Sequence, residues 1–88
     1  MKSIAAPEFW ELYHRLSPEI RKLADKNYKL WLANPRHGSL HFKKVGKSLW
    51  SARVGEHYRA VAYHEGEAFV WVWIGPHDAY EAMIARAK

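Results

Sequence analysis

The sequence predicts an α+β domain in which two N-terminal helices pack on a four-stranded antiparallel sheet, with a short C-terminal helix at the end of the chain. Three observations lead to this prediction. Apolar residues recur at helical spacing up to Asn34, they alternate at strand spacing from Leu40 onwards, and short glycine-containing segments separate the alternating runs. With 88 residues, we expect one domain that spans residues 1–88.

The first two elements are helices. The segment from Pro7 to Leu16 repeats apolar residues at i, i+3, i+4 and i+7, which predicts a short helix. Ser17 and Pro18 then supply an N-cap hydroxyl and a proline for the first position of a second helix. That helix should end near Asn34, because the following proline disfavours α geometry in the residue before it. Its predicted inner stripe consists of Ile20, Leu23, Ala24, Asn27, Tyr28 and Trp31.

The sheet follows, and its connections are short enough for hairpins. The last predicted strand is apolar on both faces, as is typical of a central strand that is covered on both sides. Gly75 and Pro76 should end it, Asp78 can cap the final helix, and that helix should run from Ala79 to Lys88. The four predicted strands are Leu40 to Lys44, Leu49 to Val54, Tyr58 to Tyr63 and Ala68 to Ile74.

Composition and charge restrict the function. The chain has no cysteine, which excludes a disulfide scaffold, a cysteine zinc site and a cysteine nucleophile. The net charge of +5 favours an anionic partner, with nucleic acid the first candidate and a membrane surface the second. No run is apolar and long enough to span a bilayer, and the N-terminus does not resemble a signal peptide, so we expect a cytoplasmic protein. The histidines match no metal motif, and we expect no metal and no cofactor.

The most informative local feature is a pair of arginines. If residues 55–57 form a three-residue loop, Val54 pairs with Tyr58, and Arg53 lies directly opposite Arg59. Like charges in such a position destabilise a sheet, so the pair makes most sense as a polyanion site. Two other interpretations remain open: one arginine meets a carboxylate (Glu65 or Glu67), or a four-residue loop places the arginines on opposite faces.

A basic cluster and a cleft-edge pair complete the candidate site. Three lysines and a histidine near the first hairpin could follow a phosphate backbone, although lysines beside a turn also commonly just protect an edge strand. His77 and Tyr80 leave the last strand at a sheet end, where a histidine and a tyrosine can exchange protons. A loop hydrogen bond for His77 and a core position for Tyr80 are the alternatives. The basic cluster consists of His41, Lys43, Lys44 and Lys47.

These segments together resemble the RelE/ParE superfamily of bacterial toxin–antitoxin toxins. The resemblance covers nearly the whole chain, and its most telling parts are the tyrosine–arginine at Tyr58-Arg59 and the basic residue two positions after Gly75. The segments that carry it are Leu40-His41-Phe42-Lys43-Lys44, Trp50-Ser51-Ala52-Arg53-Val54-Gly55, Tyr58-Arg59 and Trp73-Ile74-Gly75-Pro76-His77-Asp78-Ala79-Tyr80. It also implies a first strand, here reduced to at most Lys2 to Ala5.

For RelE-like members, the resemblance implies a metal-independent endoribonuclease that enters the ribosomal A site and cleaves mRNA. By position, Arg59 matches the arginine at the scissile phosphate and Arg53 a basic residue on the preceding strand. His77 matches a residue that acts on the leaving group or phosphate, and Tyr80 is close to the C-terminal tyrosine. The sequence differs from RelE at Ser51, where RelE carries a lysine.

The resemblance also implies partners and alternatives. A cognate antitoxin should neutralise the protein, and the ribosome and mRNA should be its targets. ParE-like members share the fold but inhibit DNA gyrase by protein contacts, so a gyrase inhibitor is the alternative function. A third alternative is an inactive relative that binds only RNA or its antitoxin.

Overall fold

The computed structural model describes residues 2–87 and contains three helices and a five-stranded sheet in this range. The strands lie in the order β1-β5-β4-β3-β2, with β1 parallel to β5 and all other neighbours antiparallel. The elements are β1 (Lys2–Ala5), α1 (Pro7–His14), α2 (Pro18–Ala33), a 3₁₀ turn (Gly38–Leu40), β2 (Lys43–Lys44), β3 (Leu49–Val54), β4 (Tyr58–Glu65), β5 (Ala68–Pro76) and α3 (His77–Ala87). The predicted α+β class is confirmed, together with the short N-terminal strand.

The helical hairpin formed by α1 and α2 follows the sequence signals closely. Ser17 is the N-cap of α2, and its hydroxyl accepts a hydrogen bond from the backbone N–H of Ile20 at 3.4 Å. Pro18 occupies the first turn, where its missing N–H costs no hydrogen bond. Within the predicted stripe, Ala24 and Trp31 are buried against the sheet. The hairpin therefore covers one face of the sheet.

The predicted strand from Leu40 to Lys44 is wrong for its first three residues. Leu40 ends the 3₁₀ turn, and His41 follows with a left-handed backbone (φ 45°), which no strand residue adopts. Only Lys43 and Lys44 pair with β3. The alternation of apolar and polar residues arises here because the turn buries Leu40 completely, while Phe42 packs on the same core as a partly buried side chain.

The end of the sheet also differs from the prediction. Gly75 and Pro76 belong to β5 and pair with β4, so they do not end the strand. Helix α3 begins directly at His77, and Asp78 consequently lies in its first turn and is not the cap. The predicted last helical residue, Lys88, lies outside the described residues.

The two faces of the sheet carry separate cores. The face under the helical hairpin packs around Trp31, Trp71 and Ile74, whereas the face under α3 packs around Val61 and Tyr80. A β-bulge in β5 occurs between these cores, since Val61 pairs with Trp73 and Ala62 pairs with Trp71. The bulge places Val72 and Trp73, two successive residues, in the α3 cluster. Strand β5 is thus covered on both faces, as predicted.

Within residues 2–87, no helix combines the length and the apolar character that a bilayer crossing requires.

Candidate functional site

Arg53 and Arg59 form a direct cross-strand pair on the face of the sheet that carries α3. The register is that of the three-residue loop, with Val54 opposite Tyr58 and Arg53 opposite Arg59. Gly55 begins the loop with a positive φ of 65° that glycine adopts without strain. The predicted pairing is therefore confirmed, and the alternative with a four-residue loop is wrong.

The two arginines have no acidic partner among residues 2–87. The ion pairs in this range join His57 to Glu56 and His77 to Glu81, so the alternative in which Glu65 or Glu67 neutralises an arginine is also wrong. Both arginines are half-buried. Two like charges that share a sheet face without compensation leave this part of the surface strongly attractive to an anion.

Hydrogen bonds from side chains to backbone carbonyls support the arginine-bearing strands. The Nη1 atom of Arg59 donates to the carbonyl oxygen of Tyr58 at 2.8 Å, which holds the guanidinium against its own strand. The Nδ2 atom of Asn27 in α2 donates to the carbonyl oxygen of Arg53 at 3.0 Å. The tip of the β3–β4 hairpin is thus tied to the helical hairpin, and the arginines stand on a supported backbone.

Gly75 lies directly opposite Arg59 on the other side, so the row across the sheet reads Arg53, Arg59, Gly75. We call this row the arginine row. The glycine leaves room for an aromatic neighbour, because a Cβ atom at this position would lie 2.8 Å from atom Cζ2 of Trp73. The indole ring therefore covers the backbone of Gly75 and forms an apolar surface at the end of the arginine row.

The predicted basic cluster is divided by the structure. Lys43 pairs with Ser51, which places it on the same face as the arginine row and one row further along the sheet. Lys44 pairs with Trp50 and lies on the opposite face. Lys47 is exposed in the turn before β3. His41 is exposed at the end of the 3₁₀ turn. The sequence had predicted that His41 and Lys43 share a strand, and this prediction is wrong.

His77 begins α3 beside the tip of the β3–β4 hairpin. Its backbone N–H donates to the carbonyl oxygen of His57 at 2.8 Å, which fixes the start of the helix against the loop. Its Nε2 atom lies 3.2 Å from Oε1 of Glu81, one helical turn later. The carboxylate can accept the imidazole N–H and so orient the ring, which is a common arrangement for a histidine that transfers protons.

Tyr80 is a core residue as well as a neighbour of His77. It is 9% exposed, and its hydroxyl donates to the hydroxyl of Ser51 at 3.2 Å in a buried contact. The ring centroids of His77 and Tyr80 are 5.8 Å apart. Tyr80 consequently joins α3 to β3, and its hydroxyl is already occupied by a protein partner.

Three residues of this site were not among the site residues predicted from the sequence. Ser51 and Gly75 have no local signal, because their importance depends on which residues the register places beside them. Glu81 does have one, since it follows His77 at the i+4 spacing of a helix. A helix predicted to begin at His77 would have revealed this pair. Within residues 2–87, no three acidic or histidine side chains gather into a group that could hold a metal ion.

Comparisons with known proteins bear on the fold. No protein-family model matches the chain, and no curated protein is similar to it. Among solved structures, a YoeB/ParE toxin from Agrobacterium tumefaciens superposes with a TM-score of 0.68 at 16% sequence identity, covering 88% of this chain and 99% of that chain. The chain has a RelE/ParE-like toxin fold. In this RelE/ParE-like fold, the arginine row and the start of α3 lie together at one end of the sheet.

Proposed function

We propose that the protein is the toxin of a type II toxin–antitoxin system and that it cleaves mRNA on the ribosome. The observation that carries the proposal is the unneutralised pair of Arg53 and Arg59, directly opposed on one sheet face. A bound phosphate offers the charge that such a pair lacks, and guanidinium groups bind phosphate oxygens in a bidentate manner. The likeness to the YoeB/ParE toxin supports the same proposal at the level of the fold.

The proposed reaction is a transesterification within the RNA. The ribose 2′-hydroxyl loses its proton to water as its oxygen forms a bond to the adjacent phosphorus. The bond from phosphorus to the 5′-oxygen breaks, and a 2′,3′-cyclic phosphate and a 5′-hydroxyl result. Charge develops on the phosphoryl oxygens in the transition state, and Arg53 and Arg59 stabilise it. His77, in its protonated form and oriented by Glu81, donates a proton to the departing 5′-oxygen.

Tyr80 is proposed to act as a positioning residue. Its hydroxyl bonds to Ser51 and its ring lies beside His77, so it holds the first turn of α3 against β3. Lys43, on the same face as the arginine row, is proposed to contact a neighbouring phosphate. Lys44 on the opposite face, Lys47 in the turn and His41 are proposed to add only to the positive potential at this edge of the sheet.

The decisive experiment is controlled expression in a bacterial host, with the 5′ ends of mRNA mapped after induction. Wild-type protein should stop growth and generate new 5′ ends within translated regions. The Arg59→Ala variant should lose cleavage by a factor of about 100 or more, the usual effect of removing one charge-stabilising group. The exposed residue Arg15 on the helical hairpin provides a matched control, because Arg15→Ala removes the same charge away from the arginine row.

Other outcomes separate the alternatives. Intact transcripts together with altered plasmid supercoiling and a DNA-damage response would replace this proposal with gyrase inhibition. Normal growth with soluble, folded protein would indicate a relative without toxic activity. Equal cleavage by wild type and Arg59→Ala would contradict the role given to the arginine row.

We further propose that a cognate antitoxin covers the arginine row. The half-buried, uncompensated cations would attract an acidic or phosphate-mimicking segment of such a partner. Co-expression of a small adjacent reading frame should restore growth and yield a stable complex. The complex should weaken when Arg53 and Arg59 are both replaced by glutamine.

A further inference from the structure

A second candidate site lies on the other face of the sheet, between the helical hairpin and the strands. A cavity of about 340 Å³ lies there, lined by residues of α1, α2, β1 and the central strands, and it opens to the surface beside Trp10 and Tyr28. We call it the hairpin cavity. Protein interiors are normally packed with few voids larger than a water molecule, so an apolar space of this size that reaches between the helices and the sheet of an 88-residue chain calls for an explanation.

The sequence creates the cavity by placing alanines at four core-facing positions. Ala52 and Ala60 are directly paired on β3 and β4 and form part of the floor, while Ala24 faces them from α2 and Ala5 from the end of β1. A larger aliphatic side chain at any of these positions would extend into the space. The open space therefore coincides with small side chains on four elements that face it.

Several polar side chains of the wall form hydrogen bonds with one another. Tyr13 donates its hydroxyl to Asp25 at 2.7 Å, and this bond joins α1 to α2 at the rim. The hydroxyl of Ser3 accepts both from the hydroxyl of Tyr28 at 2.8 Å and from Nε1 of Trp71 at 3.1 Å. With these groups satisfied, the wall presents chiefly apolar and aromatic surface to an occupant.

One wall residue has an unsatisfied polar atom. Trp31 is 1% exposed, and its Nε1–H has no hydrogen-bond partner within the described residues. An unpaired buried donor is uncommon in native proteins. Its neighbours are aromatic rings, with Trp71 at 5.1 Å and Phe69 at 5.7 Å between centroids, both edge-to-face.

We propose that the hairpin cavity is a binding site for an uncharged aromatic molecule of one or two fused rings. Its volume lies at the lower end of the range for small-molecule sites, which are mostly apolar with few polar groups. Apolar cavities in proteins can take up small aromatic molecules. Six aromatic side chains of the wall can make the offset and edge-to-face contacts that rings prefer, namely Phe9, Trp10, Tyr13, Tyr28, Trp31 and Trp71.

The class of ligand follows from the absence of a charged side chain that could pair with a ligand inside the cavity, among the residues that line it. The wall contains two charged residues, Asp25 and Arg53. Asp25 is exposed at the rim, where it accepts from Tyr13, and the side chain of Arg53 belongs to the arginine row on the other face of the sheet. A charged ligand would lose its hydration inside the cavity without gaining a paired charge there, and such a transfer is strongly unfavourable. The occupant is accordingly neutral, and its affinity comes from buried apolar area and ring contacts.

The test uses indole as a neutral bicyclic probe and benzoate as a charged aromatic probe. Both are titrated into the full-length protein and followed by two-dimensional amide NMR. Indole should bind with a dissociation constant on the order of 0.1 mM, and its shifts should concentrate at cavity-lining residues. Benzoate should bind at least tenfold more weakly. Absence of indole binding, or shifts spread over the α3 face, would overturn the proposal.

Cavity-filling variants make the test specific. Ala24→Leu should weaken indole binding at least tenfold, because the longer side chain occupies the cavity from α2. Ala33→Leu is the matched control, since Ala33 is exposed at the end of the same helix and its variant should bind as wild type does. Should Ala24→Leu fail to fold, Ala60→Val fills the floor from β4 with a smaller change. Undiminished indole binding by a folded filling variant would contradict the assignment.

Discussion

The opposed arginines should lower the stability of the folded protein, and their removal provides a direct measurement. Arg53 and Arg59 are adjacent across two antiparallel strands, and no carboxylate among residues 2–87 neutralises either one. Two unit charges about 6 Å apart repel by about 0.7 kcal/mol at the dielectric constant of water. This value is similar in size to the contribution of about 0.2–1 kcal/mol that cross-strand side-chain pairs make to a sheet.

We therefore expect the free energy of unfolding to rise from the wild type to Arg53→Gln and again to Arg53→Glu. Arg53→Gln removes the repulsion and should raise the free energy of unfolding by about 0.7 kcal/mol, or the melting temperature by about 3–5 °C. Arg53→Glu replaces repulsion by attraction to Arg59 and should raise the free energy of unfolding further, to about 1.4 kcal/mol above that of the wild type. Urea unfolding at low salt measures the series, and both variants should lose RNA cleavage.

Two controls isolate the pair. Lys47→Gln removes an exposed positive charge from the turn before β3 and reports the effect of net charge alone. In an Arg59→Gln background, Arg53→Gln should bring no gain, since the repelling partner is absent. High salt should reduce the difference between wild type and Arg53→Gln, because screening acts within about 3 Å at 1 M. If Arg53→Gln still raises the free energy of unfolding in the Arg59→Gln background, or at 1 M salt, the repulsion between the two arginines is not its cause.

Two further predictions concern hydrogen bonds. Tyr80→Phe should destabilise the fold by about 1 kcal/mol in urea unfolding, because it leaves the buried hydroxyl of Ser51 without its partner. Adding Ser51→Ala to this variant should recover much of the lost stability. If the double variant instead loses the sum of the two single losses, this account is contradicted. The hydrogen bond to Asp25 raises the pKa of Tyr13 above its ordinary value. Because the pKa of Tyr13 is higher in the folded than in the unfolded protein, its hydrogen bond stabilises the folded state fully at pH values below the unfolded pKa, which is near 10. This stabilisation is lost as the pH rises through the folded-state pKa. Tyr13→Phe should thus destabilise the protein at pH 8, by a deficit that shrinks at pH 11, whereas a deficit that stays constant with pH would exclude this linkage.

Much of the fold could be predicted because local signals agreed with the tertiary structure. The cap and proline at Ser17 and Pro18 fixed the start of α2, and the short loop after Val54 fixed the register that opposes the arginines. The prediction failed at Leu40, where a 3₁₀ turn buries the same residue that a strand would bury. Alternation over three residues does not distinguish these two geometries.

The candidate site was predictable where it depends on register between neighbouring strands, and less so elsewhere. The pairing of Arg53 with Arg59 follows from one loop length. The contact between Tyr80 and Ser51 joins residues 29 positions apart through the packing of a helix on a sheet, which no local pattern contains. The parallel pairing of β1 with β5 likewise joins the two ends of the chain, and it depends on how the helical hairpin crosses the sheet.

The bulge in β5 makes the strand tolerant of a change in length. Val72 is the extra residue, because Trp71 and Trp73 pair with consecutive residues of β4. On removal of Val72, Trp71 would still face the helical hairpin, and Trp73 and Gly75 would still face α3, as in a regular strand. A single-residue deletion, which elsewhere in a central strand exchanges the two faces, would here keep both cores and the arginine row in place. A variant of this chain that lacks Val72 should therefore keep the same site.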